Sequence, residues 1–503
     1  MNFRKGFAAL VLLSAVALIS CSGVPKPCTV NCGGGGTATL VMTWKATPLS
    51  PPPNTNLLSF IVDVNTITLT STTGTNVNIP LNSTNLSVDL TKLQSDSVFL
   101  GTSATVPSAS YSSMTVSLSN PVVTFCTQTA GSTGCASGSV TTISGAAAAP
   151  KVTTAPFPLT LSANQKSGLA INFNLTNALT VSTSQPQVVT AVNLAAANVL
   201  GVNVLPPATS SLASGQLDFV QDVTGVVTAV NTTTQSVTVK TATRGSLTAV
   251  ANSSTVFSPN CTAFNLSLTF ASCVVQGHVA SLDMVLNSDG TLTLLEYDPL
   301  STTTGDWIEG VVTAIPSSST KFSVVTNDAV FATSGSVISS SLSFGRSVNV
   351  TLVGNPQKPF AVDSKGLVVP TSAFSGGTDT SVLAPGQTVA AHVTAFTAGS
   401  GSILAAASAD SLYLRFTRVT GTVTSVAPPS TFSMQSFPPF FALTTPITVQ
   451  LSAGSPSTNF DGISNSSSLT AGQTVSITAL YFGPPVGVTS TPTPFSAAKV
   501  RVP

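Results

Sequence analysis

An all-β fold is predicted for this chain, a β-sandwich of immunoglobulin or transthyretin type followed by three small repeated β-domains, and three observations predict it. Charged residues make up only 7% of the 503 residues while hydrophobic ones reach 42%, a balance that excludes wholesale disorder. β-Branched residues alternate with polar ones over short spans, the period of half-buried strands and not of amphipathic helices. A glycine-led strand then recurs at Gly225, Gly310 and Gly421, the mark of repeated modules. A chain of this length exceeds what one hydrophobic core serves, so several domains are expected.

Taken in order, Arg4 and Lys5 precede an apolar run over 7–19 and the junction Leu18-Ile19-Ser20-Cys21. The run is shorter than the roughly 18 residues a spanning helix needs, so 1–20 reads as a cleaved signal peptide with a lipobox. Acylation of Cys21 would make the membrane a partner through an N-terminal lipid. The expected location is the bacterial cell envelope, and Ser22 in place of aspartate resembles the sorting signal for the outer membrane. Residues 21–36, with Pro25, Pro27 and Gly33 to Gly36, read as a flexible tether.

From 37 to 205 strand patterns follow one another at 39–44, 60–64, 67–69, 87–90, 113–118, 122–126, 157–161, 169–175 and 188–194, separated by turn signals such as Thr73-Gly74-Thr75. Many short strands with polar turns point to a sandwich. The runs "LLSFIVDVNTITLTS", "LSVDLTKLQ", "VPSASYSSMTVSLSNP" and "SGLAINFNLTNAL" resemble a family of bacterial lipoprotein domains, domain of unknown function 4382. Its Val-Asp-Leu step is matched by Val88-Asp89-Leu90 and its Pro-x-x-x-Tyr strand entry by Pro107 to Tyr111, whereas Trp44-Lys45-Ala46-Thr47-Pro48 departs from the acidic residue the family often carries there. The resemblance lends a sandwich and no activity.

Beyond Pro206-Pro207, the segments Gly225-Val-Val-Thr-Ala-Val, Gly310-Val-Val-Thr-Ala-Ile and Gly421-Thr-Val-Thr-Ser-Val head modules at 216–300, 306–415 and 416–503. Each later shows a phenylalanine after a small polar residue (Phe257, Phe374, Phe460), and a Gly-Gln turn opens a strand after Pro385 and after Ala471. The middle module's extra length falls around 348–370 and reads as an inserted hairpin. The last unit, lacking cysteines, is expected to hold its own core. These modules resemble a second family, domain of unknown function 5666, whose plan is similar to a five-stranded barrel of the OB type.

Besides Cys21, the cysteines fall into near pairs, Cys28 with Cys32, Cys126 with Cys135, and Cys261 with Cys273. In an exported protein these read as local disulfides, each worth about 2–3 kcal/mol. A thiolate metal site is the rival, but the spacings are wider than Cys-x-x-Cys and the only histidines are His278 and His392. Glu296, Asp298, Asp306 and Glu309 bracket the first module junction and read as a solvated linker, with calcium ligation the alternative. Sequons at Asn82, Asn174, Asn265 and Asn465 are what a chain rich in Asn, Ser and Thr produces by chance. The apolar stretch from Phe437 to Phe441 packs into its own barrel or else touches a partner.

A formal charge of +1 provides no field for a phosphate backbone, which excludes nucleic acid as an expected partner. No esterase-type Gly-x-Ser-x-Gly elbow is present. The expectation is therefore a non-catalytic, lipid-anchored envelope protein without cofactor or metal, acting as a spacer, adhesion or ligand-presenting module. A binding protein for carbohydrate or another envelope polymer is the alternative, weakened by the presence of only two tryptophans, Trp44 and Trp307.

Overall fold

Alternation decides the first sheets. Along Leu57–Ser71 the residues Phe60, Val62, Val64, Ile67 and Leu69 are buried on one face, which requires a second layer opposite. In the computed structural model, residues 35–50, 55–84, 86–184, 187–316, 320–354, 358–369, 374–401, 403–441, 443, 446–483 and 495–503 are described. The described chain is all-β, as composition requires.

The N-terminal sandwich packs two sheets. One has the order Leu200–Leu205, Lys166–Asn174, Thr37–Thr47, Val98–Pro107, with Thr37–Thr47 and Lys166–Asn174 parallel. The other runs Asn76–Ile79, Leu57–Ser71, Ala109–Cys126, Val140–Ser144. Between them Phe60 meets Phe173 edge to face at 5.6 Å, and Trp44 lies 6.4 Å from the same ring. The Pro-x-x-x-Tyr entry has a physical reason: the buried Tyr111 hydroxyl donates to the Pro107 carbonyl at 2.7 Å, pinning the strand entry in the manner of a tyrosine corner.

Thr37–Thr47 is buried over nearly its whole length instead of alternating. Val41, Phe99, Ala170 and Leu205, on the outer face of the first sheet, share a core with Leu217 and Val220 of the first barrel. The sheet is thus covered on both sides.

Each barrel repeats one connectivity. In the first, Gln216–Asn231 pairs with Ser236–Lys240 and with Val279–Asn287, Ser236–Lys240 pairs with Ser246–Val250, and Leu292–Ser301 closes the circle, antiparallel to Val279–Asn287 and parallel to Ser246–Val250. A short strand, Val256–Phe257, runs parallel to Leu292–Ser301. The second barrel uses Asp306–Ala314, Lys321–Val330, Ser347–Leu352, Ala361–Val362, Thr388–Thr397 and the first half of Ala405–Ala427 in the same way. The third uses the second half of Ala405–Ala427, then Thr431–Gln435, Ile447–Leu451, Asn459–Asp461, Thr474–Tyr481 and Phe495–Arg501. These are five-stranded barrels of OB type with one added short strand.

The repeated glycine has one cause in all three. A Cβ at Gly225, Gly310 or Gly421 would stand 2.4, 2.4 or 2.5 Å from the carbonyl oxygen of Lys240, Val325 or Gln435 on the neighbouring strand, so only glycine permits that approach.

Two readings of the middle barrel change. The 348–370 segment is not a hairpin: Ser347–Leu352 and Ala361–Val362 do not pair with each other, and each runs parallel to Ala405–Ala427. Alternation alone does not distinguish two hairpin strands from two strands docked separately on a third. Phe374 packs against Phe360 in the barrel core, beyond the short strand that corresponds to those holding Phe257 and Phe460.

The cores are joined. Phe416, Leu480 and Ala498 of the last unit belong to the second barrel's apolar cluster, while Leu58 of the sandwich and Val325 of the second barrel belong to the third's. Phe437, Phe440 and Phe441 are buried there, Phe437 stacking on Phe495 at 5.9 Å, so this stretch packs inward.

Candidate functional site

With so few charges, their placement is informative: all but four of the 16 acidic residues (Asp63, Asp289, Asp379 and Asp410) are buried. Most of them converge where the four domains meet. The outward face of each barrel's glycine-led strand contributes, with Asp222 and Thr224 from Gln216–Asn231, Glu309 from Asp306–Ala314, and Arg415, Arg418 and Thr420 from Ala405–Ala427.

Arg415 is fully buried at the centre. Its Nε donates to Glu309 Oε2 at 3.0 Å, Nη1 to Asp363 Oδ2, and Nη2 to Asp222 Oδ1 at 2.5 Å, Thr224 Oγ1 at 2.6 Å and Ser281 Oγ at 3.1 Å. Lys365 Nζ donates to Asp222 at 3.0 Å and Asp283 at 2.6 Å, and lies 4.9 Å above the Phe416 ring. Arg418 bridges Asp222 Oδ2 at 2.6 Å and Asp96 Oδ2 at 2.7 Å.

Asp222 reaches this centre through a local distortion. The pairing register slips between Val220 and Val223, and Asp222 adopts φ 53°, a left-handed conformation held by its N–H donating to Asp283 Oδ1 at 2.6 Å. Such a bulge re-aims a side chain that regular pleating would send elsewhere.

The sandwich supplies a plug. After Leu86–Asp89 the chain turns through Lys92–Gln94, a turn organised by Asp89, whose carboxylate accepts from the Phe60 and Thr91 N–H groups and from Ser59 Oγ. Lys92 pairs with Glu309, Gln94 Oε1 accepts from Thr420, and Asp96 Oδ1 accepts from Thr478 Oγ1 at 2.6 Å. The run "LSVDLTKLQ" is thus the segment that enters between the barrels. A second group adjoins it: Lys45 Nζ donates to Asp461 at 2.8 Å and lies 3.0 Å from Asp218, and Arg501 donates to the Leu93 carbonyl at 2.8 Å.

Electrostatics follow from the pairing. Burial alone would raise the Asp222 pKa, but Arg415, Lys365 and Arg418 outweigh it and hold the carboxyl well below its usual range. Glu309 is lowered against its burial by Lys92 and Arg415. Asp298 lacks a comparable cation and burial pushes it up to about 6; Glu296 rises well above its usual value through burial and neighbouring Asp283. Lys499, fully buried with no hydrogen-bond partner on Nζ and 5.6 Å from the Phe219 ring, is lowered by burial.

The cavities beside this network measure about 60 and 30 Å³, room for one or two waters and not for a substrate. Removing ions from water costs several kcal/mol each, and their mutual attraction only roughly repays it. Deleting one member of such a network leaves its partner buried and unpaired, at a cost of about 3–5 kcal/mol.

The acids at the first module junction are not a solvated linker, and they do not converge on a cation. Glu309 belongs to the network, Asp306 accepts from Ala332 N, Ser336 Oγ and Val337 N, Glu296 borders the network beside Asp283, and Asp298 accepts from Asn260 Nδ2 at 2.9 Å. Among the described residues no group of three His, Cys, Asp or Glu is placed to hold a metal. His392 Nδ1 lies 2.6 Å from Asp410, while His278 sits buried elsewhere with its Nδ1 unpartnered. Cys126 and Cys135, and Cys261 and Cys273, stand at disulfide separation with Cα atoms 5.8 and 5.6 Å apart; Cys21, Cys28 and Cys32 lie outside the described residues. No helix among the described residues is long and apolar enough to cross a membrane.

A surface groove lies apart from the network. Two adjoining hollows of about 430 and 680 Å³ share Val140, Ser347 and Leu404, with the sandwich forming one wall and the second barrel the other.

Comparison with known families matches residues 47–189 to the model of a domain of unknown function (DUF4382). The match includes the plug at 89–97 and supports the N-terminal domain. No curated protein and no solved structure matches the chain.

Proposed function

We propose that this chain is a non-catalytic, lipid-anchored protein of the bacterial cell envelope, exported by its first 20 residues and acylated at Cys21, that acts as a spacer, adhesion or ligand-presenting module. The observation that carries this reading is the shared ionic network: buried carboxylates and cations pair off to tie four domains together around Arg415, and the cavities beside them are too small for a substrate. Barrels so joined make a rigid body instead of a string of independent beads. The likeness of the repeats to domain of unknown function 5666 belongs to the same proposal, as does an outer-membrane location.

The test is metabolic labelling with a clickable fatty acid followed by membrane fractionation. Wild type should carry label and sediment with membranes, and Cys21→Ala should lose both. Label retained by the variant contradicts the anchor. A second reading, binding of a carbohydrate or other envelope polymer, is favoured by the groove between sandwich and second barrel. Trp44 and Trp307 are buried and offer no platform for it.

A further inference from the structure

We infer that the groove between the sandwich and the second barrel binds a hydroxyl-rich polymer bearing carboxylates, an acidic polysaccharide. The inference rests on the polymer-binding reading and names its site and ligand.

Position is the first argument. One wall is the outward side of Lys321–Val330 and Ser347–Leu352, the second and third strands of the barrel, with residues from the loops that follow Asp306–Ala314 and Thr388–Thr397. In OB barrels this face and these two loops are where chain-like ligands lie. The opposite wall is the 130–142 stretch of the sandwich, held by the Cys126 and Cys135 pair. Each hollow falls within the size of ordinary ligand sites.

The lining is the second argument. Ser347, Asn349 and Thr142 offer hydroxyl and amide groups suited to sugar hydroxyls. Phe396, half-buried, and Leu404, 49% exposed, offer apolar surface for the C–H face of a pyranose.

Arg346 is the third. Among the described residues Arg244, Arg415, Arg418 and Arg501 each have a carboxylate neighbour, whereas Arg346 lines the groove, exposed, with no partner for its guanidinium. It immediately precedes the third strand, and the corresponding positions of the other barrels are Gly245 and Pro446. The cation is peculiar to the barrel that has the groove. A planar fork with five donors matches a carboxylate, and a single cation is too little for a polyphosphate backbone.

Full-length protein in detergent is titrated calorimetrically with oligogalacturonate, its methyl ester and poly-glutamate. Oligogalacturonate should bind, and esterification should weaken binding at least about tenfold, the usual effect of losing one charge-assisted contact. Arg346→Ala should weaken it by a similar factor, with Arg346→Lys in between and Phe396→Ala weakening acid and ester alike. Equal binding of acid and ester with no effect of Arg346→Ala overturns the assignment. Binding of poly-glutamate alone makes the groove a peptide site and overturns it as well. Binding of none of the three eliminates the groove as a site and, with it, this polymer, but leaves the anchored module standing, because fatty-acid labelling at Cys21 reads that independently.

Discussion

Replacing Arg415 by methionine removes the cation that pairs with carboxylates of both the first and the second barrel. Asp222 would keep Lys365 and Arg418, and Glu309 would keep Lys92, but Asp363 would lose the one ion-pair partner it has among the described residues, and its Oδ1 has no hydrogen bond to begin with. Breaking a buried pair by deleting one member costs about 3–5 kcal/mol, a large share of the 5–15 kcal/mol that typically separates folded from unfolded. Because the stranded Asp363 carboxylate must stay neutral to remain buried, its pKa in the folded variant should lie above the unfolded value. The variant's stability should then fall as pH rises through that interval, so its deficit is greater at pH 8 than at pH 5. Urea unfolding of Arg415→Met, Asp363→Asn and the double variant at both pH values measures this. The double variant should recover at least about 1 kcal/mol over Arg415→Met at pH 8, since a neutral amide replaces the stranded charge. A loss below about 1 kcal/mol for Arg415→Met, or strict additivity in the double variant, would refute the reasoning.

Other outcomes follow from the same network. Asp298 has a folded pKa of about 6, above its unfolded value, so it binds more protons when folded and its stability contribution declines as pH climbs from about 4 to 6; Asp298→Asn should raise stability at pH 8 by about 1–3 kcal/mol and change little at pH 4, read by urea midpoints. Asp222 and Glu309 have lowered pKa values, so their stabilisation is present above the unfolded carboxyl range and is lost as pH falls through the folded values; an acid titration followed by circular dichroism should show domain separation accompanying unfolding. Lys499→Met should be neutral or stabilising, because it removes an unpartnered buried amine, whereas Lys45→Met should destabilise by stranding Asp218, which has no other ion-pair partner among the described residues, while Asp461 keeps Arg501. Gly421→Ala should cost about 1–3 kcal/mol, its Cβ standing 2.5 Å from the Gln435 oxygen and 2.7 Å from Met434 Cε.

Local pattern carried much of the fold. Alternation in "LLSFIVDVNTITLTS" and the recurring Gly-Val-Val-Thr-Ala depend on contacts within a sheet, and both are visible in one strand at a time. The network was hidden for the opposite reason. In "QDVTGVV" and "LRFTRVTG" the charged residues occupy the strand face that alternation assigns to water. That face is buried only because three barrels and the sandwich meet there, a fact of tertiary docking with no local period. One signal was nevertheless present: a chain with so few charges places Arg415, Arg418, Asp222 and Asp283 in mid-strand and not in turns, where solvated charges usually sit. The Lys365 loop carried no such signal. It was legible only as extra length in the middle module.

The claim that the four domains form one locked body is tested most directly by the two tryptophans. Trp44 lies in the sandwich core and Trp307 where the first and second barrels meet. Single-tryptophan proteins, Trp307→Phe and Trp44→Phe, report the two places separately, each normalised by far-ultraviolet circular dichroism on the same sample. Coincident fluorescence and dichroism transitions in urea are predicted for both proteins. A Trp44 transition displaced from the dichroism of its own sample, with Arg415→Met leaving the Trp44 curve unmoved, would contradict a shared ionic lock.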